Sequence, residues 1–185
     1  MAKKKYAKYV GKMAIPAGLP EIPPHRRVLY CDASVLPIAP WHIETIHWTS
    51  TGSAYAPGRQ SPMANLPAEY KKRPVIHQAF GLEPEGMYPM YHTYDEVFIF
   101  CGTDQDDPTD LGGEIEFWLG AGEHAEKQVI NKSSYVYVPA GMVHCPMDCT
   151  KLVRPFVEIV ITPSPLHTEF HIDLWPKGYK AMPDK

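Results

Sequence analysis

The sequence has few cysteines, no long apolar run and little net charge, and each shortage excludes a class of protein. The 185 residues include four cysteines, and no two of these are separated by two residues, so zinc-knuckle and thioredoxin-type motifs are absent. No apolar stretch approaches the ~20 residues that a transmembrane helix needs. A net charge of −3 gives no indication of a nucleic-acid partner or a membrane surface.

The N-terminal region also lacks the apolar segment of a secretory signal. Lys3, Lys4 and Lys5 are followed by the polar stretch 6–12, and we expect this basic cluster to be a solvated tail. Cysteines without a disulfide framework are typical of reducing compartments. The sequence therefore predicts a cytoplasmic protein with reduced thiols.

Proline is plentiful, and the 20 prolines are spread along the whole chain. Together with short runs of Val, Ile, Phe and Tyr, they argue against long helices and favour short strands joined by turns. We predict an all-β barrel or sandwich in one domain covering residues 41–166. Residues 1–40 are expected to form an N-terminal arm and residues 167–185 a C-terminal tail, with the arms contributing to a homodimer.

A histidine and a glutamate stand close together at the start of one predicted strand. His92 and Glu96 would be ~13 Å apart if the chain between them were straight. Ligands must approach a shared metal ion to within ~2.0–2.2 Å, so a metal site requires a corner between the two residues. Residues 93–95 are suited to such a corner because Asp95 can bond to backbone.

A second stretch, Pro139-Ala140-Gly141-Met142-Val143-His144, delivers an imidazole after a Pro-x-Gly turn. Two imidazoles and one carboxylate form a facial ligand set with open positions, as in non-haem Fe(II) enzymes and, with fewer open positions, in zinc enzymes. We therefore predict a metal site made of His92, Glu96 and His144.

These two stretches resemble the two motifs of the cupin superfamily. Residues 96–102 are similar to the glutamate-to-glycine strand of the first motif, His92 matches that motif's second histidine, and residues 139–144 match the second motif. The resemblance covers residues 73–162, about half of the chain. It implies a double-stranded β-helix, also called a jelly-roll or cupin barrel, with a bound divalent metal. Its members include dioxygenases, lyases and isomerases, and others that only bind a ligand.

The sequence departs from the motif at Met90, where the family has its first histidine. A thioether can assist a soft or borderline metal such as Fe(II) or copper but is a poor ligand for Mn(II). His77, on the strand expected before the first motif, is the reserve ligand. We predict Fe(II) as the metal, with zinc, manganese or nickel as substitutes.

Several other polar residues have both a functional and a structural interpretation. Tyr94 lies between two predicted ligands and is either a general acid or base, together with Glu96 as a catalytic residue, or an aromatic cover of the barrel mouth. Three glutamates lie in strands of alternating pattern, namely Glu114, Glu116 and Glu158. We expect each of them to be exposed, although one can point into the barrel and support the metal site. Four further histidines are interpreted as having no role in the site: His42, His47, His167 and His171.

The function predicted is that of a metal-dependent enzyme acting on a small organic substrate, of dioxygenase, lyase or isomerase type. The aromatic residues of the barrel suggest a carboxylate or phenolic compound as substrate. Two alternatives stay open: a non-catalytic binding protein in which Met90 marks a decayed site, and a structural protein whose arms form a dimer interface.

Overall fold

A computed structural model describes residues 9, 11–13, 26–33, 35–53, 89–165, 167, 169–172 and 174–180, with backbone only for 26–28, 53 and 171. The predictions for residues 54–88, including the reserve ligand His77, lie outside the described residues. None of the helical segments described is both long and apolar enough to cross a membrane.

The regular structure of the described residues includes eleven strands and a 3-10 turn. The strands are β1 (Arg26–Cys31), β2 (His42–Trp48), β3 (Gly52–Ser53), β4 (Met90–Tyr91), β5 (Glu96–Cys101), β6 (Asp110–Leu119), β7 (Glu126–Lys132), β8 (Ser134–Val138), β9 (His144–Leu152), β10 (Phe156–Thr162) and β11 (Phe170–His171). The 3-10 turn is Gly122–His124. The prediction of an all-β fold is confirmed.

The strands form two antiparallel sheets. One has the order β1-β2-β10-β5-β8, and the other has the order β11-β4-β9-β6-β7 with β3 paired to β9. The predicted N-terminal arm therefore contains strand β1, and the predicted C-terminal tail contains strand β11. β1 pairs along its whole length with β2, and β11 pairs with β4, so the barrel sheets extend beyond the limits at residues 40 and 166.

Alternation of side chains builds the core between the two sheets. In β5 and β10 every second residue is buried, which places Phe98, Phe100, Phe156 and Val160 inside. The opposite sheet contributes Phe117 of β6, whose ring meets that of Phe98 at 5.0 Å between centroids in an edge-to-face contact. Polar residues in the same phase as these core residues must also point into the barrel.

Candidate metal centre

The corner that the metal site requires lies between β4 and β5. The chain bends at Thr93 and Tyr94, and β5 begins at Glu96. Glu96 is in phase with the buried Phe98, so its carboxylate points into the barrel. As a result, Oε2 of Glu96 lies 3.1 Å from Nε2 of His92.

A turn brings the second histidine to the same place. The N–H of Met142 donates to the carbonyl of Pro139 over 3.0 Å, and Gly141 has a φ of 82°, a left-handed conformation that favours glycine. His144 follows as the first residue of β9, with Nε2 3.0 Å from Oε2 of Glu96.

Two backbone donors connect this turn to the corner. The N–H of Gly141 donates to the carbonyl of His92 over 2.8 Å, and the N–H of Ala140 donates to Oδ1 of Asp95 over 2.9 Å. The bond from Ala140 holds the pKa of Asp95 below its ordinary value. Asp95 was expected to bond to nearby backbone within the corner; its bond to Ala140 instead ties the two motifs together.

The three ligand atoms converge on one point. Suitable atoms of His92, Glu96 and His144 all lie within 4.8 Å of one another, and the residues are 2%, 1% and 1% exposed. Two ligands ~2.1 Å from an ion and at right angles to each other are separated by ~3.0 Å, which the two histidine–carboxylate distances match. The three residues therefore fit a metal ion.

Hydrogen bonding also favours an ion over a simple pair of contacts. Oε2 of Glu96 and Nε2 of His144 are buried, and neither has a partner of hydrogen-bond geometry among the described residues, although the two atoms are close. Nδ1 of His144 lies 3.3 Å from the carbonyl of Met142. With its proton on Nδ1, the imidazole donates to that carbonyl and turns the lone pair of Nε2 toward Glu96, as is usual for metal-binding histidines.

The carboxylate is held in its ionised form. Burial raises the pKa of Glu96, but the imidazoles of His144 and His92 outweigh that effect and hold the pKa below its ordinary value. An ionised carboxylate is the form that binds a cation.

The remaining predicted site residues have different positions. Met90 is 3% exposed, lines the cavity beside the triad and pairs with His144 across β4 and β9. Tyr94 is half-buried and stacks on the His92 ring at 5.3 Å between centroids, but it is not among the residues that line the cavity. The stacking contact fits the interpretation of Tyr94 as an aromatic cover.

Four polar residues of the cavity were not predicted as site residues, namely Glu44, Glu158, His167 and Glu169. Exposure was expected for Glu158, but its exposed fraction is 0% because it is in phase with Phe156 and Val160 on β10. The same alternation places Glu44 of β2 on the inner face together with Ile46 and Trp48.

His167 was interpreted as part of an extended tail with no role. Its ring instead lies 4.9 Å from the His92 ring and 4.9 Å from the His42 ring, between centroids. The chain beyond it pairs with the strand that contains Met90, which explains why the tail reaches the cavity. No local sequence pattern predicts the pairing of β11 with β4. His42 is buried and His47 is exposed, as expected for residues on opposite faces of one strand.

In sequence, no protein-family model and no curated protein matches this chain. Among solved structures, the chain is similar to an oxalate oxidase, with a TM-score of 0.51, 12% identity, and coverage of 93% of this chain and 67% of that chain. A complex of oxalate oxidase with the substrate analogue glycolate gives a TM-score of 0.52 with the same identity and coverage. A Bacillus subtilis oxalate decarboxylase, studied for its Mn(II) centers, gives 0.48 with 9% identity, 88% of this chain and 33% of that one.

These likenesses concern the fold. Together with the two sheets, the oxalate oxidase structures confirm the cupin-type β-barrel that the two motifs suggested. The fold does not specify a reaction, because one fold supports many activities.

Proposed function

We propose that the protein binds one divalent transition-metal ion through His92, Glu96 and His144 and acts with it on a small organic substrate. The observation that carries the proposal is the convergence of three buried ligand atoms on one point inside the barrel. Three protein ligands leave open positions, and the bound metal would supply Lewis-acid or oxygen-activating chemistry there.

The residues around the triad would control what reaches it. The cavity is small and open to solvent, with room beside the triad for only a few ligand atoms. Ile46, Phe98 and Val160 line it with apolar surface, which excludes water and strengthens electrostatic interactions at the triad. Fe(II) remains the predicted metal, with zinc, manganese or nickel as substitutes.

The reaction class and assembly also remain proposals. An oxidoreductase, lyase or isomerase is compatible with a two-histidine, one-carboxylate site. Tyr94 as a general acid or base and a homodimeric, cytoplasmic protein are likewise predictions.

A non-catalytic binding protein is the second candidate, and Met90 is the observation that favours it. At this position the cupin motif has a histidine, and a buried thioether offers a hard metal no comparable ligand. A screen of small substrates with and without oxygen, using metal-loaded protein, separates the two candidates because only an enzyme gives turnover.

Metal content tests the proposal directly. Protein purified without added metal should contain close to one transition-metal ion per chain by elemental analysis, and His92→Ala and His144→Ala should each remove it. His47→Ala is the matched control, because this histidine is exposed on the outer face of β2. Wild-type protein that contains no metal and takes up none on titration would overturn the proposal.

A further inference from the structure

The outer face of the sheet β1-β2-β10-β5-β8 is apolar, whereas the outward face of an antiparallel sheet is usually polar. Alternation along β5 and β10 buries one set of residues and turns the other set away from the barrel. That outward set consists of Val, Ile and Cys. We define the outer apolar face by six residues of four strands: Ile43, Val97, Ile99, Tyr135, Ile159 and Ile161.

The strand register joins these side chains into a continuous patch. One row across the sheet contains Ile159, Ile99 and Tyr135, and the next row contains Ile43, Ile161 and Val97. Residues directly opposite on antiparallel strands have Cβ atoms ~4.5–5.5 Å apart, so the members of a row are in contact. At the outward positions of β2, β5, β8 and β10, all of which the structure describes, there is no aspartate, glutamate, lysine or arginine.

The outer face of the other sheet has the usual polar character. Nζ of Lys127 on β7 donates to Oε1 of Glu116 on β6 over 2.7 Å. The hydroxyl of Tyr179, from the C-terminal segment, donates to Oδ1 of Asp148 on β9 over 3.4 Å. Its acids and lysine therefore pair with one another or with the chain's own tail. The apolar outer face is a property of one sheet and not of the whole surface.

The area of this face is sufficient for a dimer. Five strands ~4.8 Å apart, the longest with seven residues at ~3.3 Å each, give a face of roughly 500 Å². Two copies packed face to face, as the two sheets of a sandwich pack, would cover roughly 1,000 Å² in total. Specific interfaces begin at about that size.

The charge and symmetry of the face also fit a second copy of this chain. A symmetric dimer brings one patch against itself, so any strongly charged patch would meet its own charge. A patch without acids, lysines or arginines has no such repulsion. β10 is the middle strand of the five, and a two-fold axis through it would place Ile159 against the Ile159 of the other copy.

We propose that the outer apolar face is the interface of a homodimer, with Ile159 at its centre and Tyr135 at its rim. Tyr135 is 75% exposed on the edge strand β8. The terminal arms were expected to contribute to the dimer. β1, which lies in the N-terminal arm, forms the opposite edge of the same sheet and would contribute at the rim. The inference does not depend on a metal ion or on the proposed function.

Sedimentation velocity of the full-length protein at ~1–100 µM tests the interface. The wild type should form a dimer whose proportion rises with concentration. Ile159→Lys places two like charges together at the centre and should raise the dimer dissociation constant at least ~100-fold. Tyr135→Lys, at the rim, should raise it less than ~10-fold.

Val129→Lys is the matched control. This valine is 52% exposed on β7 and pairs with Glu116, so it lies on the outer face of the other sheet. Its replacement should leave the dimer dissociation constant within ~2-fold of the wild type, since a residue outside an interface contributes little to it. Melting temperatures establish that each variant is folded.

Cysteine labelling provides a second measurement on the wild type. Cys101 is half-buried at an outward position of β5, opposite Val157, whereas Cys145 is buried. The rate at which iodoacetamide alkylates Cys101, followed by peptide mass spectrometry, should fall as the protein concentration rises and the dimer forms. In Ile159→Lys the rate should not depend on concentration. Cys145 is the internal control and should show no concentration dependence in either protein.

Three results would overturn the proposal. The first is a wild type that stays monomeric at the highest concentration. The second is a dimer that a folded Ile159→Lys variant leaves intact, because the interface would then lie elsewhere. The third is protection of Cys101 that is the same at every concentration, because the chain would then cover its own face. If Ile159→Lys does not fold, Tyr135→Lys and the labelling of the wild type decide the question.

Discussion

The triad and three other glutamates of the same cavity, Glu44, Glu158 and Glu169, are held in different ways, and we call these glutamates the acidic wall. In the triad, Oε2 of Glu96 approaches two histidine nitrogens at 3.0 and 3.1 Å, and two backbone bonds tie its sequence segments together. In the wall, each carboxylate has an aromatic or imidazole partner, and the residues come from chain segments far apart in sequence. The convergence of three buried ligand atoms fits a metal ion, whereas the three glutamates each have a partner of their own.

The largest expected difference between the two regions is in metal affinity. Glu96→Gln removes the charged ligand and should weaken metal binding ~1000-fold, since loss of outer partners alone costs ~10–100-fold. Glu158→Gln, equally buried, should weaken it less than ~10-fold because Glu158 is not one of the three converging ligands. Titration with a competing chelator measures both constants. Equal losses in the two variants would mean that the triad and the wall form one binding site.

The next largest effect is on the pH dependence of the free energy of unfolding, through His42, which lies beside Glu44. Burial lowers the pKa of His42, but the nearby carboxylates of Asp32 and Glu44 outweigh it and raise the pKa from 6.5 to about 9. Because the folded pKa is above the unfolded one, the stabilisation is complete below pH ~6.5 and is lost as pH rises through ~9. It amounts to at most ~3 kcal/mol.

His42→Gln tests this linkage. Urea unfolding at pH 6 should show the wild type more stable than the variant by up to ~3 kcal/mol, and the difference should shrink steadily toward pH 10. A difference that stays constant or grows with pH would mean that His42 is not charged in the folded protein.

A smaller effect is expected at the turn that positions His144. Gly141→Ala should cost ~1–2 kcal/mol of stability, because its φ of 82° is unfavourable for a residue with a Cβ. Gly178 has the same φ and equally open surroundings, so Gly178→Ala should cost a similar amount. Metal affinity should fall several-fold only for Gly141→Ala. If both glycine variants keep the wild-type affinity, the turn does not control the triad.

The smallest effect is expected at Met90. Met90→Leu preserves volume and should cost less than ~1.5 kcal/mol. Metal content and affinity should be unchanged if the three predicted ligands suffice. A loss of affinity measured with the same chelator titration would identify the thioether as a fourth ligand.

The two regions also differ in how many of their residue positions could be predicted from the sequence. The corner at residues 93–95 and the Pro-x-Gly turn are local, so their residue types predict the backbone that brings His92, Glu96 and His144 together. Burial of Glu158 follows from alternation along β10, but only once the inner face of that strand is known. The position of His167 depends on pairing between β11 and β4, a long-range contact that no local pattern encodes.

The central claim is that a single metal ion lies among His92, Glu96 and His144. Anomalous diffraction at the absorption edge of the metal found by elemental analysis tests it most directly. The account predicts one peak within ~2.3 Å of Nε2 of both histidines and Oε2 of Glu96. Metal-containing crystals with no peak at this point, or with their only peak elsewhere in the protein, would contradict it.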